Sequence, residues 1–246
     1  GVLNQRSLML TAEYWNPILD YVGQTAQVTL NLTIARTANE TTDMAGRGEL
    51  AFVYTNHLFT PERAQWGFTV LARQAGKGIR GGIVVAANSP AQRLQDLEGA
   101  SVAFANPYAF AGYSVPYDAL LKAGVKVKRI FAGNQEAAMG QLKHGTVQAA
   151  GVNSQIMATY AAREKFAYRV LYTSEPYYDL CIMAHPKVSM EVQARIRTAF
   201  IQMTQTPSGN AILAKAATQI GAKTARGFVH ADDQDYANYR KFYAQA

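Results

Sequence analysis

The stretch Phe104 to Val125, FANPYAFAGYSVPYDALLKAGV, holds the residue types best placed to do chemistry. An apolar run, Ser101 to Ala105, stops at Asn106-Pro107. An aromatic-rich loop follows, and a helical pattern opens at Gly112 with small alanines around it. Such a helix start exposes unpaired backbone N–H groups and a partial positive charge, which suits an anion. Tyr108, Phe110 and Tyr113 add rings, and Tyr113 adds a hydroxyl.

Other segments read alike, each ending a strand pattern in small or polar residues before a helical one. They are Asn4-Gln5-Arg6-Ser7, Tyr54-Thr55-Asn56, Gly133-Asn134-Gln135 and Val152-Asn153-Ser154. In a two-lobe α/β protein these tips are expected to converge on one cleft. Gln5, Arg6, Ser7, Tyr54, Thr55 and Asn56 then oppose Tyr108, Phe110, Ala111, Gly112, Tyr113, Asn134, Gln135 and Asn153. One helix dipole contributes only ~0.3–1 kcal/mol, up to ~2 when partly buried, so the opposing donors are needed. Two readings stay open at Trp15 and Tyr54, core or cleft, and two at Arg6, cleft or surface ion pair.

Catalytic constellations are absent from the pattern. The sequence offers no Ser-His-acid grouping, no paired carboxylates at strand tips and no metal-ligand spacing among His57, His144, His185 and His230. No enzyme activity, cofactor or metal is expected. Cys181, in the run Leu180-Cys-Ile-Met, reads as a buried small hydrophobe. Gly76-Lys-Gly-Ile-Arg-Gly81 matches GxGxxG literally, but β-branched GIVVAA follows where a dinucleotide site needs a helix.

These tips require strands and helices in alternation. Helical patterns cover about 7–21, 39–48, 89–97, 112–123, 134–145, 156–165, 189–205, 207–219 and 232–245. Strand patterns cover 27–35, 49–56, 66–74, 79–89, 101–105, 128–133, 146–153, 168–174 and 179–185. The alternation predicts an α/β fold of two lobes, each a mixed, mostly parallel sheet flanked by helices, with the ligand cleft between them. Two consecutive strands break the rhythm around 74–82, where the chain is expected to cross between lobes, with a return near 174–179. Lobe 1 is then 1–81 with 178–246, and lobe 2 is 82–177.

The chain has 246 residues, 24 Lys plus Arg against 17 Asp plus Glu, and a net charge of +7. The basic residues are scattered, so a nucleic-acid face is not expected, while a diffuse positive field favours small anions. No apolar run reaches the ~18–20 residues of a membrane span. The opening Gly1-Val-Leu reads as the end of a strand, and a leader is expected to have been removed.

The pattern as a whole resembles the periplasmic phosphate/phosphite/phosphonate-binding proteins, the PhnD-like family of type II solute-binding proteins. GVLNQRS…TAEYWNPILDYV is similar to the family's first strand and Trp-Pro helix, and GELAFVYTN to its strand with a TN tip. LQDLEGASVAFANPYAFAGYSVPYDALLKAGV looks like its signature, and FAGNQEAAMGQLKHGTVQAAGVN like the segment after it. The resemblance implies a non-catalytic periplasmic or extracytoplasmic protein that captures a small anion by lobe closure. A membrane permease of an ABC transporter is the implied partner, with a signalling kinase as the alternative, and a monomer is expected. The chain departs from the family inside the site. Ala109-Phe110-Ala111-Gly112-Tyr113 stands where the family reads Ser-Thr-Ser-Gly-Tyr, Gln135 where it has a histidine, and Asn153 where it has an acid. Fewer hydroxyls and more rings point to an organic phosphonate-like, sulfonate-like or carboxylate-like anion instead of free phosphate.

Overall fold

Lys77 and Tyr178 mark where the backbone leaves and re-enters the first of two units in the computed structural model, which describes residues 1–3 and 6–245. The first unit is Gly1–Lys77 with Tyr178–Ala246, and the second is Gly78–Tyr177. In chain order the first unit opens with α1 (Leu8–Ala26), α2 (Ala38–Gly46), β1 (Phe52–Thr55), α3 (Pro61–Ala64) and β2 (Thr69–Gln74). The second unit supplies β3 (Gly81–Ala86), β4 (Ser101–Phe104), α4 (Val115–Lys122) and β5 (Lys128–Phe131). It continues with α5 (Gln135–Lys143), β6 (Ala149–Asn153), α6 (Ser154–Glu164) and β7 (Tyr168–Thr173). The first unit resumes with β8 (Cys181–Ala184), α7 (Met190–Gln202), α8 (Pro207–Gln219), β9 (Phe228–His230) and α9 (Ala237–Gln245).

In the first unit the sheet order is β1-β8-β2-β9, and these neighbours pair antiparallel. Val2 adds a parallel bridge to Tyr54 on the outer edge of β1. Ser7 caps α1 by accepting from the Leu10 N–H at 3.3 Å. Tyr14, Trp15, Ile18 and Val22 fall on one face at helical spacing and are buried against the sheet. Trp15 sits 4.6 Å from Tyr54 and 6.1 Å from Phe228, so both Trp15 and Tyr54 belong to the core.

The second unit has the order β5-β4-β6-β3-β7. β4 pairs parallel with β5 and β6, while β3 pairs antiparallel with β6 and β7. Its period-two alternation divides the interior into two cores. Ile83, Val85, Val102 and Phe104 point to one face, and Val84, Ala103, Ala150 and Val152 to the other.

The pairing differs from the expected mostly parallel arrangement where strands carry the chain out of and back into a unit. β8 returns running against both β1 and β2 and separates them. The strand expected at 27–35 forms no ladder. Gln27 takes a left-handed conformation at φ 53°, Val28 N–H bonds back to Gly23 O, and Val2 N–H reaches Thr33 O at 3.1 Å. Leu30 and Leu32 still pack on the core, which explains their alternation without a sheet partner. The helix expected at 232–245 begins as a 3₁₀ turn, Asp233–Tyr236, because Asp232 and Asp235 form a capping box there. α3 and β9, too short for a periodic signal, were not expected. Among the described residues no helix is long and apolar enough to cross a membrane.

Candidate functional site

In the second unit the parallel strands β5, β4 and β6 each end in a turn that opens a helix. These are the carboxyl strand ends where open α/β sheets hold ligands. After β4, the Asn106 side chain accepts from Tyr108 N–H at 2.9 Å and its carbonyl from Ala109 N–H at 3.2 Å, which reverses the chain. A π-helical turn, Phe110–Ser114, then runs directly into α4. Its cap, Ala109, has no side chain that can accept. Ser114 N–H bonds to Ala109 O, five residues back, at 2.9 Å, and Val115 N–H bonds to Phe110 O. An α-helical start would have used the Tyr113 N–H on Ala109. The wider turn leaves Ala111, Gly112 and Tyr113 N–H outside the intrahelical ladder.

Asn134 opens α5 by accepting from Ala137 N–H at 2.9 Å, and Asn153 opens α6 by accepting from Ile156 N–H at 2.8 Å. Both are good caps because a short amide oxygen reaches the first-turn N–H groups. Gln135 ties the starts together. Its Oε1 accepts from Asn153 N–H at 2.6 Å, and its side chain lies against Gly112, where an added Cβ would meet Gln135 Cδ at 2.9 Å. Gln135, Asn153 and Gly112 are all buried. Since Asn153 Oδ1 is fixed as an acceptor, its Nδ2 is a donor, and this buried atom has no hydrogen-bond partner among the described residues. The neighbouring carboxylate, Glu136, is committed to Arg163 at 2.8 Å. Three helix starts thus meet around neutral donors.

The remaining second-unit candidates are placed differently. The Phe110 ring is 1% exposed and meets Tyr177 edge-on at 4.7 Å, so it builds the interior and is not an open aromatic face. Tyr113 accepts from Arg129 Nη1 at 2.8 Å and stacks on Tyr117 at 5.3 Å, which turns its hydroxyl to that pair. Tyr108 is half-buried beside the Asn106 turn.

In the first unit, strand register fixes which residues share an end. Thr55 on β1 and Arg73 on β2 both lie opposite Cys181 of β8, and Val2 runs parallel beside Tyr54. Thr55-Asn56 and Arg73-Gln74 therefore emerge at one end of the sheet. Thr55 Oγ1 accepts from His57 N–H at 2.9 Å, Asn56 Nδ2 donates to Tyr239 Oη at 3.3 Å, and Ser7 caps α1. Tyr54 is taken by the core, and Gln5 lies outside the described residues. Arg6 is half-buried near Tyr14. Burial raises the pKa of the Tyr14 hydroxyl, and the Arg6 charge, a bond from Gln74 and the Arg226 charge oppose that rise.

Arg73, near the end of β2, was not singled out in the sequence. Its guanidinium lies 3.6 Å over the Tyr178 ring, and Nη1 donates to Gln74 O at 3.1 Å. Gln74 Nε2 in turn donates to Tyr14 Oη at 2.5 Å.

Groups that could have served catalysis are otherwise engaged. His57 is buried beside Thr42, and burial, reinforced by the Arg63 charge, lowers its pKa to about 3. Burial raises the Cys181 thiol well above its usual range, and Sγ donates to Thr55 O at 3.3 Å. Among the described residues no group of His, Cys, Asp and Glu is arranged to hold a metal.

Comparison with solved structures shows the same fold. A binding protein component of an ABC phosphonate transporter from Pseudomonas aeruginosa superposes with a TM-score of 0.82 at 14% identity, covering 98% of this chain and 83% of that one. PhnD1 from Prochlorococcus marinus, solved with methylphosphonate, gives 0.81 at 16% identity, covering 100% and 96%. The periplasmic aliphatic sulphonate-binding protein SsuA of Escherichia coli gives 0.60 at 16% identity, covering 94% and 83%. Comparison with curated protein sequences finds no match. The family model described as "ABC transporter, phosphonate, periplasmic substrate-binding protein" matches residues 1–236. With the donors of its strand tips and a match over nearly its whole length, the chain belongs to the phosphonate periplasmic substrate-binding proteins of ABC transporters.

Proposed function

We propose that this substrate-binding protein captures an organic phosphonate, or a closely related organic oxyanion, in preference to inorganic phosphate. The protein delivers a small ligand to a permease outside the cytoplasm, as its family does. In our reading the oxyanion lies at the second unit's three helix starts. The observation that carries this is Gln135, in contact with Gly112 and bonded to Asn153, which groups the starts around neutral donors.

The magnitudes are adequate. Each helix start contributes about 0.3–1 kcal/mol, up to ~2 when partly buried, and each hydrogen bond to a charged group about 1.5–3 kcal/mol. Micromolar capture needs ~8 kcal/mol, within reach of a few such bonds added to the helix starts. Ala109 and Ala111 supply no hydroxyl, so the site relies on backbone N–H groups and the Asn153 amide. That set suits an oxyanion with fewer acceptor oxygens than phosphate. Nothing in the comparisons favours the signalling alternative.

Calorimetric titration with methylphosphonate, an alkylsulfonate and inorganic phosphate tests the reading. Binding of methylphosphonate tighter than phosphate supports it. Tight phosphate binding with the organic anions silent overturns it.

A further inference from the structure

We propose that the helix starts of the second unit hold their ligand as a singly charged oxyanion, with the amides of Gln135 and Asn153 setting that preference. The class comprises alkylsulfonates, phosphonate monoesters and phosphonates that keep one proton. This deepens the reading above and rests on it, since the oxyanion is taken to lie at these starts.

The donors supply the first argument. Gln135 Oε1 is committed to Asn153 N–H at 2.6 Å and Asn153 Oδ1 to Ile156 N–H at 2.8 Å, so each side chain offers its amide nitrogen as a donor. Asn153 is fully buried, and its Nδ2 has no hydrogen-bond partner among the described residues. A buried donor without a partner is costly, and an oxyanion seated there relieves the cost. Gly112 lies against Gln135, which brings the N–H groups of the π-helical turn to the same amides. All of these donors are neutral. A helix start carries only about half an elementary charge, and an acid in the first turn, Asp118 in α4 and Glu136 in α5, offsets part of it at two of the three.

The cations on the elements that form the site supply the second, because they are bound to other groups. Arg163 of α6 pairs with Glu136 at 2.8 Å, and Lys143 of α5 with Glu164 at 3.0 Å. Lys122 of α4 pairs with Asp118 at 2.7 Å. Arg80 stands beside the start of α6, its backbone N–H on Ser154 Oγ at 3.0 Å, but its Nη1 donates to Ser174 O at 2.6 Å. Arg129 donates to Tyr113 Oη at 2.8 Å and lies over the Tyr117 ring at 5.0 Å. Lys128 opens β5, at the end away from the site. A second charge on the ligand is therefore buried against partial charges alone, and burial of an uncompensated charge is strongly unfavourable. The ligand is the group that yields, by keeping a proton or by having one charge from the outset. His144, the one histidine among residues 78–177, caps the far end of α5, with Nδ1 at 2.7 Å from Gly140 O.

The test measures the affinity for methanesulfonate and methylphosphonate by calorimetry at mildly acidic, neutral and mildly alkaline pH. Methanesulfonate keeps one charge throughout and reports any pH effect of the protein, whereas methylphosphonate loses its second proton near neutrality. Their affinity ratio is therefore the readout. Methylphosphonate is expected to lose about tenfold against methanesulfonate for each pH unit above the point where half of it is doubly charged. Q135K, which adds a full charge at the starts, should shrink that slope to below roughly threefold per unit. A wild-type ratio that stays constant, or that moves toward methylphosphonate as the pH rises, overturns the proposal. So does silence of methanesulfonate beside bound methylphosphonate, or an unchanged slope in folded Q135K. The wild-type profile decides even if Q135K fails to fold. Silence of both anions overturns the function on which the proposal rests.

Discussion

Gln135 fills the space that a side chain on Gly112 would need: an added Cβ would stand 2.9 Å from Gln135 Cδ and 3.2 Å from its Oε1. Gln135 has little freedom to retreat, because Oε1 already holds Asn153 N–H at 2.6 Å. Replacing Gly112 by alanine should therefore cost about 1–3 kcal/mol, the usual penalty for overpacking. It should also weaken phosphonate binding by roughly tenfold or more, since the displaced groups are the helix starts themselves. Thermal unfolding and titration of G112A measure the two effects. In a G112A/Q135A double variant the stability losses should fall short of additive, because Q135A removes the obstruction.

Asn153 separates cap from ligand donor. Asn153→Ala loses the bond to Ile156 N–H and should destabilise the protein by about 1 kcal/mol. Asn153→Asp keeps an acceptor for that N–H, but places a carboxylate where the anion is to sit. It should weaken phosphonate binding more than the alanine variant does, with partial recovery as acid protonates the carboxylate. Titrations of both variants at neutral and mildly acidic pH decide the matter. Equal losses in the two would remove Asn153 from the site.

His57 makes the fold acid-sensitive. Thr42 Oγ1 donates to Ala38 O at 2.9 Å, so the hydrogen it shares with His57 Nδ1 belongs to the ring, and the imidazole is neutral. Unfolded chains take up this proton near pH 6.5, whereas the folded protein resists it down to about 3. The neutral form's contribution is complete above the unfolded value and declines by about 1.4 kcal/mol per pH unit as the pH falls through that window. Urea unfolding at a series of pH values should show wild type losing one more proton's worth of slope than His57→Gln.

Tyr239 secures two strand ends at once. Its hydroxyl accepts from Asn56 and donates to the Tyr178 carbonyl. Tyr239→Phe leaves both without that partner and should cost about 1–3 kcal/mol. For a chain of this size each kcal/mol lowers the melting temperature by about 2–4 °C, which circular dichroism resolves. An unchanged melting curve would mean that the hydroxyl bears no weight in the fold.

Legibility followed the range of the interaction. The helix starts at Asn134 and Asn153 were readable because a cap acts on residues three positions away. The two-sheet α/β architecture was readable from alternation such as Ile83, Val84 and Val85, which face opposite cores. Asn56 was read as a ligand donor, yet its partner is Tyr239, 183 residues along the chain. That Arg73 and Thr55 share one end of the sheet was not readable, because it depends on register across β8. The alternation at 28–33 was real burial, but periodicity cannot show whether a neighbouring strand is within bonding distance.

The double duty proposed for Asn153, helix cap and ligand donor, limits how this protein can change its diet. Only a handful of residue types, chiefly Asn, Asp, Ser and Thr, cap a helix well, so evolution at this position has a small repertoire unless α6 is to fray. Each of those types presents a different face to a visiting molecule: an amide donor, a carboxylate acceptor, or a hydroxyl that does both. Selectivity in descendants of this chain is expected to jump between ligand classes in discrete steps, with no gradual drift linking one class to the next.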